Sequence, residues 1–302
     1  MNDSHSISFR SGLRLLALII LLSLSNTGFA APQNHESPIS FDFPGATNTQ
    51  ATAITPSGAI VGRYNYADGV LHGFLLARGH FFSIDYPGAV FTEANWINPA
   101  DEIGGDYTDT DGRKHGFVLV GGRFITIDYP GSENSTVTGI SAGGEIIGVW
   151  TNSQGEGIGF LFMEGKFSDV VFPGSNFTMP TMKADGILVG GYFDASGGAH
   201  GFEVIDETFK TINCPAATFT FLSGIDPEGN MVGGLGTSDG NSHGALISHG
   251  NCSPVDYPGG HDTYANGSNA EGDLVGRYTD AAGMTHAFLW PHYISTAVSV
   301  RP

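Results

Sequence analysis

The stretch from Ile103 to Pro130, IGGDYTDTDGRKHGFVLVGGRFITIDYP, decides how this chain is built. Two runs rich in β-branched and aromatic residues, Lys114 to Val120 and Arg123 to Tyr129, flank Gly121 and Gly122, which is the signature of a hairpin with a two-residue turn. His115 and Asp128 are equally distant from that turn. They are therefore expected to face each other across the ladder, where a hydrogen bond or an ion pair can form. Upstream, Glu93 to Asn98 and Glu102 to Thr108 read as two further strands around a turn at Pro99 to Asp101. Four consecutive strands make one unit.

The same text is written six times. Pro44, Pro87, Pro130, Pro173, Pro215 and Pro258 beat at 43 residues with one step of 42, and His72, His115, His200, His243 and His286 keep the same time. A period of that length signals a repeat architecture. The count that joins His115 to Asp128 also joins His72 to Asp85, His200 to Asn213 and His243 to Asp256. In the third copy it joins Ile158 to Val171, so a polar pair has been exchanged as a unit for an apolar pair. That exchange suits a buried contact, because either polar partner left alone would be unsatisfied.

His286 has no aspartate after it and Asp42 has no histidine before it. They become partners if the strand around Ser40 to Pro44 completes the sheet of the last copy. The expected fold is all-β: a six-bladed β-propeller of four-stranded blades over residues 38–293, its ring closed by the N-terminal strand.

The HGF text, with HAF itself at His286 to Phe288, and the Gly-x-x-His spacing resemble the HAF-type extracellular repeat family across all six copies. That resemblance implies an exported β-propeller-like repeat protein and no particular chemistry. Ile158 and Ala245 depart from its pattern.

Residues 1–30 read as a signal peptide: Arg10 and Arg14 precede the apolar run LLALIILL, and Gly28 to Ala30 offers small residues for cleavage after Ala30. The mature chain is expected to be secreted or periplasmic, without membrane insertion, and monomeric, with residues 294–302 as a tail. A net charge of −18 argues against nucleic acid and anionic membranes, both of which reward Lys and Arg. An oxidising compartment permits a disulfide between Cys214 and Cys252. Cys214, however, replaces the Tyr of DYP, and Cys252 replaces the Phe found at Phe81, Phe124, Phe167 and Phe209. Read along successive blades, these places are expected to lie beyond the ~7 Å Cα limit of a bridge, which leaves two buried thiols.

The histidine pairs tempt a metal or acid–base reading, but one pair per blade cannot converge on a metal or on a substrate. They are read as structural. Asp109 to Gly112 resembles the start of a calcium loop but lacks the later glutamate, and reads as a hairpin turn. Neither a metal nor a cofactor is expected. Function is better sought where the copies disagree. The loop-rich face carries Glu93, Asn95, Glu133, Asn134, His261, Asp262 and Tyr264. In the channel, Thr55, Asn98, Ser141, Lys183, Asp226 and Asn269 are taken as matching positions, with Lys183 and Asp226 as an ion pair or a ligand clamp.

The reading that follows is a binding module whose loop-rich face holds a glycan, a cell-envelope component or a protein. One alternative is a polysaccharide hydrolase or lyase using Glu93, Glu133 or Asp262, which requires carboxylates about 5 to 10 Å apart. Another is an architectural surface protein. No nucleophile elbow or phosphate-cradling loop is present.

Overall fold

The computed structural model of the protein describes residues 36–294, whose regular structure is almost wholly β: 24 strands, each antiparallel to its neighbour in the chain within a copy. The expected signal peptide and residues 295–302 lie outside the described residues. In the second copy the strands are Phe91–Ile97, Ile103–Thr108, Lys114–Val120 and Arg123–Ile127. The Gly116 to Ile127 register is the one that sets His115 against Asp128. The fold is all-β and propeller-like.

Six separate four-stranded sheets were expected; backbone pairing gives four of them and one sheet of eight. The eight-stranded sheet joins copies three and four through one parallel pairing, Gly157 beside Phe177. At three other junctions a side chain from the next copy accepts the N–H at this place: Asn134 Oδ1 from Lys114, Asp262 Oδ1 from Ser242 and Asn48 Oδ1 from Thr285. Phe91, Phe177 and Phe219 offer no such acceptor, and of the residues they face, Leu71, Gly157 and Ala199, only the glycine lacks a side chain; the Phe177 ring lies against it and the two backbones pair directly.

The first strand, Ile39–Phe41, pairs antiparallel with the last, Thr285–Trp290, and supplies the fourth strand of that sheet. Asp42 Oδ2 lies 2.8 Å from His286 Nδ1, and Asn266 Nδ2 donates to Ala51 O at 2.8 Å. The two ends of the repeat region are thus hydrogen-bonded to one another.

Five of the six copies build their core in the same way, copy five having Ala245 in place of the phenylalanine. Phe74, Phe117, Phe160, Phe202 and Phe288, two residues after the histidine place, are fully buried, each worth about 2 to 3 kcal/mol relative to exposure. Each ring lies over the second-strand glycine, so that a Cβ on Gly105 would stand 2.8 Å from Phe117. The inner strand carries a bulge, between Ala94 and Trp96 in copy two, which turns one small polar side chain toward the next copy. There Thr52, Asn95, Thr138 and Thr181 donate to the carbonyls of Ala94, Val137, Pro180 and Leu222.

Adjacent copies also meet through aromatic rings. Tyr86, leaving copy one, stacks on Tyr107 at 3.6 Å between centroids and lies 5.0 Å from Phe124. Tyr129 meets Trp150 and Phe167 likewise, and Phe172 meets Tyr192 and Phe209. This contact corrects the cysteine reading. The Tyr place of one copy touches the Phe place of the next, so Cys214 and Cys252 are neighbours, with a Cα separation of 5.5 Å, and they form a disulfide. Measuring along a strand missed that the outgoing segment of one copy lies on the outer hairpin of its successor.

Two further expectations need correcting. The histidine pairs are at the rim rather than buried: Asp85 and Asp256 side chains are half-exposed, and Val171 is 47 % exposed. Ile294, expected to begin a tail, is 3 % exposed and donates its N–H to Gly272 O, so the packed region extends at least to it.

Candidate functional site

The bulged inner strands line two cavities. The cavity on the loop-rich side has a volume of about 430 Å³ and takes lining residues from all six copies. Its wall is built at two register positions. The first is the residue before the bulge segment, which reads Gln50, Glu93, Thr136, Met179, Phe221 and Tyr264; the second follows the second-strand glycine and includes Arg63, Asp106, Val149 and Arg277. In copies four and five this second position is Gly191 and Gly234, and the rings of Phe221 and Tyr264 lie where their side chains would be.

Charge is concentrated here. Arg63, Lys114 and Arg277, three of the 12 Lys and Arg residues of the chain, line this one cavity together with Glu93 and Asp106. Glu93 accepts from Arg63 and from Lys114 Nζ at 3.4 Å, and Asp106 lies 2.8 Å from Lys114 and accepts from Asn95 Nδ2 at 2.9 Å. Every oxygen of both carboxylates is engaged. Burial works against the Glu93 anion, but Arg63 and Lys114 outweigh it and hold the carboxyl below its usual range. Burial likewise opposes the Lys114 cation, and Asp106 with Glu93 outweighs it, so the ammonium is held above its usual value.

Trp96 is the floor. Its place in the inner strands is otherwise taken by Ala53, Gly139, Met182, Gly224 and Gly267, and it lines both cavities. The indole reaches copy five, where a Cβ on Gly224 would stand 3.4 Å from its ring. Its Nε1 is buried and has no acceptor among the described residues. Beyond it, the second cavity, about 360 Å³, is lined by Ile54, Ile97, Met182 and Ile225 and by the short inner turns.

Comparison with known proteins follows this geometry. No family model and no curated protein matches the sequence. Among solved structures, AofleA from Arthrobotrys oligospora is similar with a TM-score of 0.59 at 12 % identity, over 85 % of this chain and 87 % of that one. The Aleuria aurantia lectin, solved with α-methyl-L-fucoside, is similar at 0.53 and 12 % identity, over 83 % and 93 %. A putative TolB from Agrobacterium tumefaciens is similar at 0.56 and 16 % identity, over 80 % and 90 %. What they share with this chain is the propeller fold.

Of the residues singled out in the sequence, the loop-side cavity gathers Glu93, Asn95 and Tyr264. Asn134 and Asp262 instead cap the neighbouring copy's strand, Asp262 also holding His261 at 3.0 Å, and Glu133 is exposed away from the cavity lining. Lys183 and Asp226 line the other cavity but do not pair: Lys183 Nζ lies 2.8 Å from Glu145, and Asp226 accepts from Asn230. Copy four has a two-residue inner turn, Asp185 and Gly186, which moves Lys183 into register with Ile54 and Ile140, while Ala184 takes the place of Thr55. Sequence reasoning missed Arg63, Asp106, Lys114 and Arg277. The signal was available, since Arg63, Asp106 and Arg277 follow a repeated glycine at a position where no two adjacent copies within the chain agree except the glycines of copies four and five.

The histidine pairs stay at the rim. Nδ1 of His72, His115 and His243 lies 2.6, 2.8 and 2.7 Å from Asp85, Asp128 and Asp256, and that of His200 lies 3.1 Å from Asn213. A second carboxylate closes on Nε2 of His115, His200 and His286, from Asp109, Asp194 and Asp280. Burial opposes the His115 and His286 cations, yet the flanking aspartates raise both imidazoles above their ordinary value.

Proposed function

We propose that the chain is an exported glycan-binding module, built as six blades in a closed ring, which holds its ligand in the loop-side cavity. The observation that carries this reading is a cavity of about 430 Å³ to which all six copies contribute and in which threonine, asparagine and charged side chains stand beside the rings of Phe221, Tyr264 and Trp96. A sugar suits such a cavity: its hydroxyls can bond to the threonine, asparagine and glutamine side chains, and its apolar face can lie on Phe221, Tyr264 or Trp96. The fold likeness to the fucoside-bound Aleuria lectin supports the reading by analogy of scaffold only. The signal-like residues 1–30 support export.

Hydrolysis is the weaker alternative. Glu93 and Asp106 are the cavity's acidic pair, and all four of their oxygens are already bound to Arg63, Lys114 or Asn95, leaving neither free to act as base or nucleophile. The test is retention of the purified protein on immobilised polysaccharides and envelope extracts, with Phe221→Ala as control for the apolar face of the cavity. Specific retention that Phe221→Ala weakens supports the reading, and loss of all retention on every matrix removes it.

A further inference from the structure

Arg277 differs from the other two cations of the loop-side cavity. Arg63 and Lys114 are neutralised by Glu93 and Asp106, whereas the Arg277 side chain makes no hydrogen bond or ion pair among the described residues. Asp262 is near enough to be felt, but its oxygens are engaged by His261 Nδ1 at 3.0 Å and the Ser242 N–H at 3.2 Å. The cavity therefore holds one positive charge in excess, inside a chain whose net charge is −18.

The guanidinium is also held in place. Its Cζ lies 4.1 Å from the centroid of the Tyr264 ring, a cation–π contact that leaves its N–H fork unspoken for. The ring is fixed in turn, because it sits over Gly234, where a Cβ would come within 2.5 Å, and its hydroxyl donates to Ser242 Oγ at 3.2 Å. Burial lowers the Arg277 pKa from its ordinary value, a sign that the charge is partly desolvated. A half-buried, oriented, unpaired guanidinium facing a sugar-sized polar cavity is a receptor for a planar anion, and a carboxylate matches the fork in two places.

We propose that this cavity binds a sugar carrying a carboxylate, a uronic acid unit of an acidic glycan, with Arg277 as the carboxylate contact. The proposal rests on the glycan reading above and narrows it to acidic sugars. Anionic ligands are repelled by the protein as a whole and recognised only at this site, so affinity should depend on Arg277 rather than on general charge.

The test is calorimetric titration of the full chain with oligomers of galacturonic, glucuronic and mannuronic acid, each beside its methyl ester. The expected result is that at least one acid binds and its ester binds about 30-fold more weakly, the loss that follows when a desolvated charge pair is broken. Arg277→Gln should lower affinity for the acid by a similar factor and leave the ester unaffected, and Arg277→Lys should recover part of it, since the charge returns without the fork. Acid and ester bound equally by the unaltered protein would overturn the carboxylate contact, even if neither variant folded. If neutral polysaccharides are retained with no preference for acids, the glycan reading stands and this one falls; if nothing binds, both fall.

Discussion

At the rim, the copies repeat themselves: a histidine faces a carboxylate or an amide in five places, and where it changes, in the Ile158 copy, both members change together. At the loop-side cavity, the same register position is Arg63, Asp106, Val149 and Arg277 in four copies and glycine in two. The rim pair is thus a contact that each copy's outer hairpin must satisfy, made within one copy except where Asp42 meets His286 across the two ends of the repeat. The cavity has no such obligation to the repeat, so its residues are free to suit a ligand. Changes at the rim should cost stability and leave binding alone, whereas changes in the cavity should alter binding and cost stability only where an ion pair is broken.

The largest stability effect should come from the junction of copies four and five, where Cys214 and Cys252 replace the aromatic Tyr and Phe that join other copies. Their bridge closes a segment of 38 residues, for which loop entropy suggests about 3 to 4 kcal/mol. Replacing both by alanine should lower the free energy of unfolding by that amount in denaturant titration, and reductant should do the same to the natural protein. Glycan retention below the transition should not change. A loss of binding without unfolding would break the division between rim and cavity.

Next in size is Asp106→Ala. It removes a buried carboxylate from Lys114, which keeps only Glu93 at 3.4 Å, and should cost about 2 kcal/mol, reduced from the value for a fully buried pair because Lys114 is partly solvated. The same change makes the cavity more positive, so affinity for an acidic oligosaccharide should rise as stability falls. Parallel decline of both would mean that Asp106 contacts the ligand itself.

Smaller again is His115→Ala, expected to cost about 1 kcal/mol, because both partners are partly exposed and water takes up some of the stranded hydrogen bond. His115→Ile with Asp128→Val should recover most of it, as the third copy does with Ile158 and Val171. Equal damage from the single and the paired change in thermal unfolding would show that the exchange in copy three is coincidence.

What could be read in the sequence follows the same division. The rim was legible because a hairpin fixes which residues oppose each other, and counting from Gly121 and Gly122 found His115 and Asp128 without any knowledge of the blades' arrangement. The Asp42 and His286 contact came from the same count. Contacts between copies were harder. Cys214 and Cys252 are neighbours only because one copy's exit segment lies on the next copy's outer hairpin, and no periodicity within a strand reports that. The cavity was half legible: Glu93, Asn95 and Tyr264 were found from loop variability, while Arg277 was hidden in a strand otherwise read as scaffold. Lys183 was misplaced by one residue because the two-residue turn of copy four shifts the register locally.

The finest probe of the rim is its response to pH. His115 and His286 are the two histidines held between a pair of aspartates at which the imidazole is raised above its ordinary value of about 6.5, the aspartates outweighing the opposing effect of burial. A group whose folded value is raised binds its proton more tightly in the folded state, so its contribution is fully present below about pH 6.5 and is lost as pH climbs through the folded value. The lowered carboxylates, Glu93, Asp262 and Asp280 among them, act in the opposite sense but far lower on the scale, where they lose their contribution as acid is added. Between about pH 6 and 8 the protein should therefore become less stable as pH rises, the histidines acting in the same sense as Asp106 and Asp226, whose carboxyls burial raises. His115→Gln and His286→Gln should each flatten that slope in denaturant midpoints. Because His286 bonds Asp42 beside the strand Ile39–Phe41, deprotonation should also speed amide exchange in that strand before it affects Arg123–Ile127, whose hairpin turn keeps it in place without its histidine. Uniform exchange at both strands across that range would mean that the ends of the repeat are held by backbone pairing alone, with the histidine contact contributing nothing to closure.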